Sequence, residues 1–291
     1  MKFWQALAFT DLDQLEPLAK HSEQLGLHGV CLSDHLVTTQ EQHDDYLYTE
    51  DSQVIWQPET HWPDPFVQMA ALAGVTATLQ FMTSVYVMPM RDAFSVAKSV
   101  ATLAHVSNNR IVLGVGTGWQ RTEFDLVGRQ FERRGKHIDE QLDVMQLLWR
   151  GGMVEYHGEY YDFAPLQMSP PPSAKVPVYV GGHAPVALRR AARNDGWVGM
   201  AYPFEQIGAL VEGVKAARLK LAGSLQDFEI VLCCTDLTPD RVPQLEAMGV
   251  TGLIKDAWLE NGRAVSSSLE EKVANLDRFA AEYLQFLPST V

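Results

Sequence analysis

Hydrophobic positions along this chain follow two patterns that alternate from end to end. Short runs of branched aliphatic residues closed by glycine, such as Ile111 to Val115, read as strands buried on both faces. Stretches whose apolar positions return every three or four residues, such as Ile138, Leu142, Met145, Leu148 and Trp149, read as helices with one apolar face. On this basis strands are predicted at Lys2 to Phe9, Gly29 to Leu32, Leu79 to Pro89, Ile111 to Val115, Val176 to Val180, Gly196 to Met200, Phe228 to Cys234 and Gly249 to Asp256. Each is followed by a helix. Asp11 caps the first, and Gly26 ends it. The others are expected over Asp64 to Val75, Ala93 to Val106, the segment ending at Trp149, a helix opened by Pro185, Phe204 to Ala222, Thr238 to Met248 and Leu269 to Phe286. Strand and helix alternating eight times, with no second compositional regime, predict one closed (β/α)8 TIM barrel over residues 1–291. Two stretches exceed an ordinary connection. Val37 to Pro63 follows the second strand and reads as a lid or a disordered segment. Gly151 to Lys175, rich in Tyr, Gly and Pro, follows the fourth and reads as an excursion packed on a neighbouring element or a second subunit.

Composition narrows the possibilities. A net charge of -13 argues against nucleic acid as a partner, because phosphate backbones require clustered Lys and Arg. Cys31, Cys233 and Cys234 lack metal-ligand spacing and read as small core residues of a cytoplasmic protein. No apolar run approaches the ~20 residues that cross a bilayer, so no membrane partner is expected.

In a barrel of this kind chemistry lies at the C-terminal ends of the strands. Those ends hold Asp34 and His35, Ser84 to Met88, Gly116 to Arg121, Gly181 to His183, Ala201 and Tyr202, Thr235, and Asp256 to Trp258. This set lacks a group of metal ligands, a nucleophile elbow and a P-loop lysine. Glycines, aromatics and one or two histidines suit a flat conjugated cofactor lying against backbone. Asp34 and His35 read either as a strand cap bonded to each other or to the next loop, or as a general acid–base whose imidazole is tuned by Asp34 or by burial. Gly116 and Gly118 lead into Trp119 and Arg121: a tight turn, or an apolar wall beside an anion contact. Gly181 and Gly182, just ahead of Pro185, give the strongest anion signal, since free N–H groups at a helix start face the mouth. Trp56 and Trp62, with Tyr46 and Tyr48, either line a substrate pocket or pack within the long segment. Arg133 to Lys136 read as a solvated face or as partners of Glu132, Asp139 and Glu140, rather than as a ligand site.

The run GVGTGW with a Glu after it, then EFDLVG, a basic cluster and a helix ending in LLW, resembles the core of the luciferase-like monooxygenase superfamily. It is most similar to the branch that uses the deazaflavin coenzyme F420, and the likeness extends along most of the chain. The resemblance implies an oxidoreductase passing a hydride between F420 and a small organic substrate, and a homodimer. It implies that Asp34 and His35 lie against the deazaflavin ring, with His35 handling the proton. It also implies a bulge at TSV with a non-proline cis peptide between Ser84 and Val85, contacts from Gly116, Gly118 and Arg121 to the cofactor side chain, and phosphate binding at Gly181 and Gly182. Trp56, Trp62 and Trp119 are the expected substrate pocket. The same fold hosts FMN-dependent monooxygenases, and a non-catalytic flavin-binding barrel is the alternative from another class. Near the sixth to eighth strand ends the candidate cations are Lys255 and Arg263, which speaks against a sugar phosphate.

Overall fold

The computed structural model describes residues 1–39, 54–256, 258–260, 263–264 and 267–286, so Tyr46 and Tyr48 lie outside the described residues. Its strands in chain order are β1 (Lys2–Ala6), β2 (Gly29–Leu32), β3 (Gln80–Thr83), β4 (Tyr86–Val87), β5 (Ile111–Gly116), β6 (Val154–His157), β7 (Asp162–Leu166), β8 (Val178–Gly181), β9 (Gly196–Tyr202), β10 (Glu229–Cys234), β11 (Gly252–Lys255), β12 (Leu259–Glu260) and β13 (Arg263–Ala264). The helices are α1 (Leu12–Leu25), α2 (Pro65–Ala73), α3 (Ala93–Val106), α4 (Arg121–Leu126), α5 (Arg134–Trp149), α6 (Pro185–Ala192), α7 (Phe204–Ala222), α8 (Arg241–Met248) and α9 (Leu269–Tyr283).

One parallel sheet runs β3-β2-β1-β11-β10-β9-β8-β5-β4 and closes where β3 also pairs with β5. β3 and β4 are halves of one strand interrupted at Ser84–Val85, so the barrel has eight strand positions, as the alternation predicts. Because side chains alternate across a strand, each strand fills two cores. Trp4, Ala6, Cys31, Met82, Val112, Tyr179, Val198, Val231, Cys233 and Ile254 pack together inside the barrel. Phe3, Val30, Phe81, Leu113, Val180 and Leu253 point outward into the layer shared with the helices. The cysteines are buried thiols, and burial pushes Cys233 up to about 12.

Two local features differ from the sequence reading. The second excursion contains an antiparallel hairpin, β6 with β7. It docks on the chain's own α3 and α5: Phe94 meets Phe163 at 5.3 Å, and Glu140 accepts the N–H groups of Glu159, Tyr160 and Tyr161 at 3.0, 2.8 and 2.7 Å. The turn after β5 holds the short helix α4, so Arg121 and Glu123 are helical residues rather than loop residues. Among the described residues, no helix is long and apolar enough to cross a membrane.

Candidate active site at the barrel mouth

The first barrel strands end in a polar layer built from residues distant in sequence. Asp34 is buried and points to Arg91, whose guanidinium meets it with two contacts of 2.7 Å. It also accepts the Val87 N–H at 2.8 Å. Burial pushes the Asp34 carboxyl upward, while Arg91 and the Val87 N–H pull against it. Asp34 therefore ties β2 to the second half of the broken strand, and His35 takes a different partner. Its Nδ1 lies 3.1 Å from Oε2 of Glu123, on α4. Of the alternatives read from the sequence, His35 takes its hydrogen-bond partner from α4 rather than from Asp34, and the Asp34–His35 pair acts through charge.

Between these pairs the Ser84–Val85 peptide is cis, at the position implied by the resemblance. Ser33 Oγ donates to the Ser84 carbonyl at 3.3 Å, and Thr83 Oγ1 donates to the Gly114 carbonyl at 2.7 Å. The glycines of β5 make room for this bulge. A Cβ on Gly114 would stand 1.9 Å from the Thr83 carbonyl oxygen, and one on Gly116 would stand 2.5 Å from Val85 Cγ2. Both lie far inside any real contact, so the bare backbone of β5 accommodates the chain itself. Gly181 faces the same side chain, its Cβ position lying 3.0 Å from Val85 Cγ1. Gly116, Gly181, Ser84 and Val85 thus form one patch of close-packed backbone.

Aromatic residues from two segments converge on His35. Its ring centroid lies 5.3 Å from Trp56, 4.9 Å from Trp62 and 6.1 Å from Trp119. The structure brings together His35, read from the sequence as a catalytic candidate, and the three tryptophans read as candidates for the pocket. Phe9, missed by that reading, joins them at 5.9 Å from Trp56 and 5.4 Å from Trp62. Its position just past β1 is the signal that was available.

Arg121 is placed otherwise than expected, whereas in the basic cluster Arg133 and Lys136 are exposed as the solvated-face reading predicts. Arg121 is exposed, pairs with Glu132 at 2.6 Å and stacks on Phe131 at 4.6 Å. Arg133 pairs with Glu159 instead of Glu132. Arg134 is no solvated residue: it donates to the Gly118 carbonyl at 3.0 Å and lies 3.7 Å over Phe131, so it braces the glycine turn. Gly118 has φ +77, a conformation that glycine adopts readily.

Across the mouth, β8 ends at Gly181, and α6 starts at Pro185 with Ala184 as a cap that makes no side-chain hydrogen bond. Gly182 (φ +99), His183, Ala184 and Val186 are exposed there. His183 Nδ1 lies 3.0 Å from the Tyr202 hydroxyl, and Trp197 Nε1 donates to the Gly182 carbonyl at 2.7 Å. The start of α6 presents backbone N–H groups and the positive end of the helix dipole to an anion.

Comparison with known proteins identifies the family and the fold. The profile of the luciferase-like monooxygenases matches residues 5–235. An uncharacterized protein of Mycobacterium tuberculosis is 36% identical over 282 residues, covering 96% of this chain and 98% of that protein. The F420-dependent glucose-6-phosphate dehydrogenase of Amycolatopsis mediterranei is 30% identical over 226 residues, covering 74% of this chain and 63% of the enzyme. Among solved structures, the monooxygenase RslO1 of Streptomyces bottropensis superposes with a TM-score of 0.76 at 18% identity over 98% of this chain and 99% of that one. The type II Baeyer-Villiger monooxygenase of Pseudomonas putida, in complex with FMN, gives 0.60 at 16% identity over 86% and 71%.

Proposed function

Since the chain belongs to the luciferase-like monooxygenase family, whose members use F420 or a flavin, we propose that it is an F420-dependent oxidoreductase acting on a small organic substrate. The observation that carries this reading is the gathering of Trp56, Trp62 and Trp119 around His35, two residues past Ser33, whose hydroxyl donates to the Ser84 carbonyl of the bulge. Those residues fit a planar ring. Val85, with Gly116 and Gly181 packed behind it, offers a firm surface for one face, and Ser84 supplies backbone beside it. Gly181 and Gly182 ahead of α6 fit the cofactor's phosphate. When bound, the deazaflavin supplies the hydride chemistry. The protein holds the ring, excludes water with Trp56, Trp62 and Trp119, and exchanges a proton with the substrate oxygen at His35. In the same reading the enzyme is a cytoplasmic homodimer, and Gly116 and Gly118 shape the turn beside the cofactor side chain.

Titration of the protein with F420 and with FMN, followed by fluorescence and absorbance, tests the proposal. Binding of F420 with His35→Ala retaining that binding but losing about 10²-fold or more in turnover is the expected result. FMN binding with oxygen-dependent turnover would make the protein a monooxygenase instead. Binding of neither cofactor would remove the proposal.

A further inference from the structure

Glu123 has no part in the function as stated above, and its surroundings are unusual. The residue is 2% exposed, with a carboxylate deep at the edge of the site. Its two oxygens do different work. Oε2 lies 3.1 Å from His35 Nδ1, while Oε1 accepts the backbone N–H of Leu36 at 2.7 Å and that of Val37 at 3.4 Å. The backbone contacts fall on the chain as it leaves β2 for the long excursion that returns with Trp56 and Trp62. The imidazole contact falls on the residue those tryptophans surround. A carboxylate has no proton to donate and accepts at both oxygens, so the nitrogen facing it carries hydrogen.

We propose that Glu123 is the positioning residue of the site: it accepts a hydrogen bond from Nδ1–H of His35, fixes the tautomer, and leaves Nε2 as the nitrogen that meets substrate. The ring nitrogen that exchanges a proton is set by the bond the other nitrogen makes. The contacts to Leu36 and Val37 hold the ring's own backbone in register with α4, so the imidazole has neither a free tautomer nor a free pivot. The catalytic part of this inference rests on the proposed role of His35. The structural part does not.

Glu123→Gln separates the two. A glutamine keeps a carbonyl oxygen for the Leu36 and Val37 N–H groups but turns an NH2 toward His35, and an amide N–H pairs with an unprotonated Nδ1. The tautomer is then expected to reverse. Imidazole 15N chemical shifts of the cofactor-free protein in alkaline buffer read this directly. Wild type is expected to show the Nδ1–H form, and Glu123→Gln the Nε2–H form. With cofactor and substrate, Glu123→Gln is expected to lose about 10²-fold in kcat with KM changed by less than about threefold, the size of a general acid–base contribution. Glu123→Ala, which removes the backbone acceptor as well, is expected to lose folding stability in addition. The same tautomer in wild type and Glu123→Gln would overturn the inference, as would an unchanged kcat in a Glu123→Gln variant whose tautomer had reversed. If His35→Ala itself keeps full turnover, the proposed function fails while the tautomer result stands.

Discussion

The two walls of the barrel mouth handle polar groups in opposite ways. On the wall formed by β2, the broken β3/β4 strand and β5, the chain satisfies its own groups. Asp34 is occupied by Arg91 and the Val87 N–H, Glu123 by His35 and two backbone N–H groups, and the gaps beside Gly114 and Gly116 by Thr83 and Val85. On the wall formed by β8 and α6, Gly182 to Val186 stand exposed ahead of a helix whose cap makes no side-chain bond. One wall is finished by the protein, and the other presents donors outward. Substitutions on the first are therefore expected to change stability and geometry. Those on the second are expected to change ligand affinity with little effect on folding.

Asp34→Ala gives the hardest test of that division. It strands Arg91, whose side chain is only 14% exposed, and removing one partner of a buried pair costs about 3–5 kcal/mol. Chemical denaturation reads the loss. A variant as stable as wild type would mean that the finished wall is not held together as described.

A second test lies at the opposite end of the barrel and serves as a control for acid effects. Burial drives the His28 imidazole from its ordinary 6.5 down to about 4. The folded state then binds fewer protons than the unfolded chain between those values, so stability is full above 6.5 and falls as pH drops toward 4. The expected loss is roughly 1–3 kcal/mol. Denaturation at several pH values, repeated with His28→Gln, should show this slope flattened in the variant. Acid loss unchanged in the variant would place the responsible group elsewhere.

Gly182→Ala addresses the open wall. Its φ of +99 disfavours a side chain, and the new Cβ would sit 3.1 Å from Ala187 Cβ. Cofactor affinity is expected to fall about tenfold, equivalent to about 1.4 kcal/mol, at modest cost in stability. A loss of stability without loss of affinity would move the phosphate away from α6. Arg121→Ala is expected to have the smallest effect, within about 1 kcal/mol of stability, since the Glu132 pair is exposed. A large fall in cofactor affinity in this variant would restore the contact that the resemblance implied.

The barrel was legible because both periodicities are strong and local. Ile111 to Val115 is a short branched run bounded by glycine, and the apolar face of α5 repeats from Ile138 to Trp149 over about three turns. His35 and the tryptophans were legible because each lies at or beyond a strand end. Pairings across the fold were not. Asp34 and Arg91 are 57 residues apart, and His35 and Glu123 are 88 apart, so neither partner is marked by spacing. The strand reading also extended β1 to Phe9, whereas the strand stops at Ala6 and Phe9 has φ +59. The β6–β7 hairpin escaped because neither strand is a clean apolar run. Its docking depends on Phe94 and Glu140 from two other helices.

Ring closure also limits where a strand from another chain could add. Because β3 joins β5, each of the longer barrel strands has a partner on both sides, and among the described residues the two-residue β4 and the short hairpins keep an unpaired rim. The hairpin strand β7 contains Pro165, a residue with no N–H to offer an incoming strand.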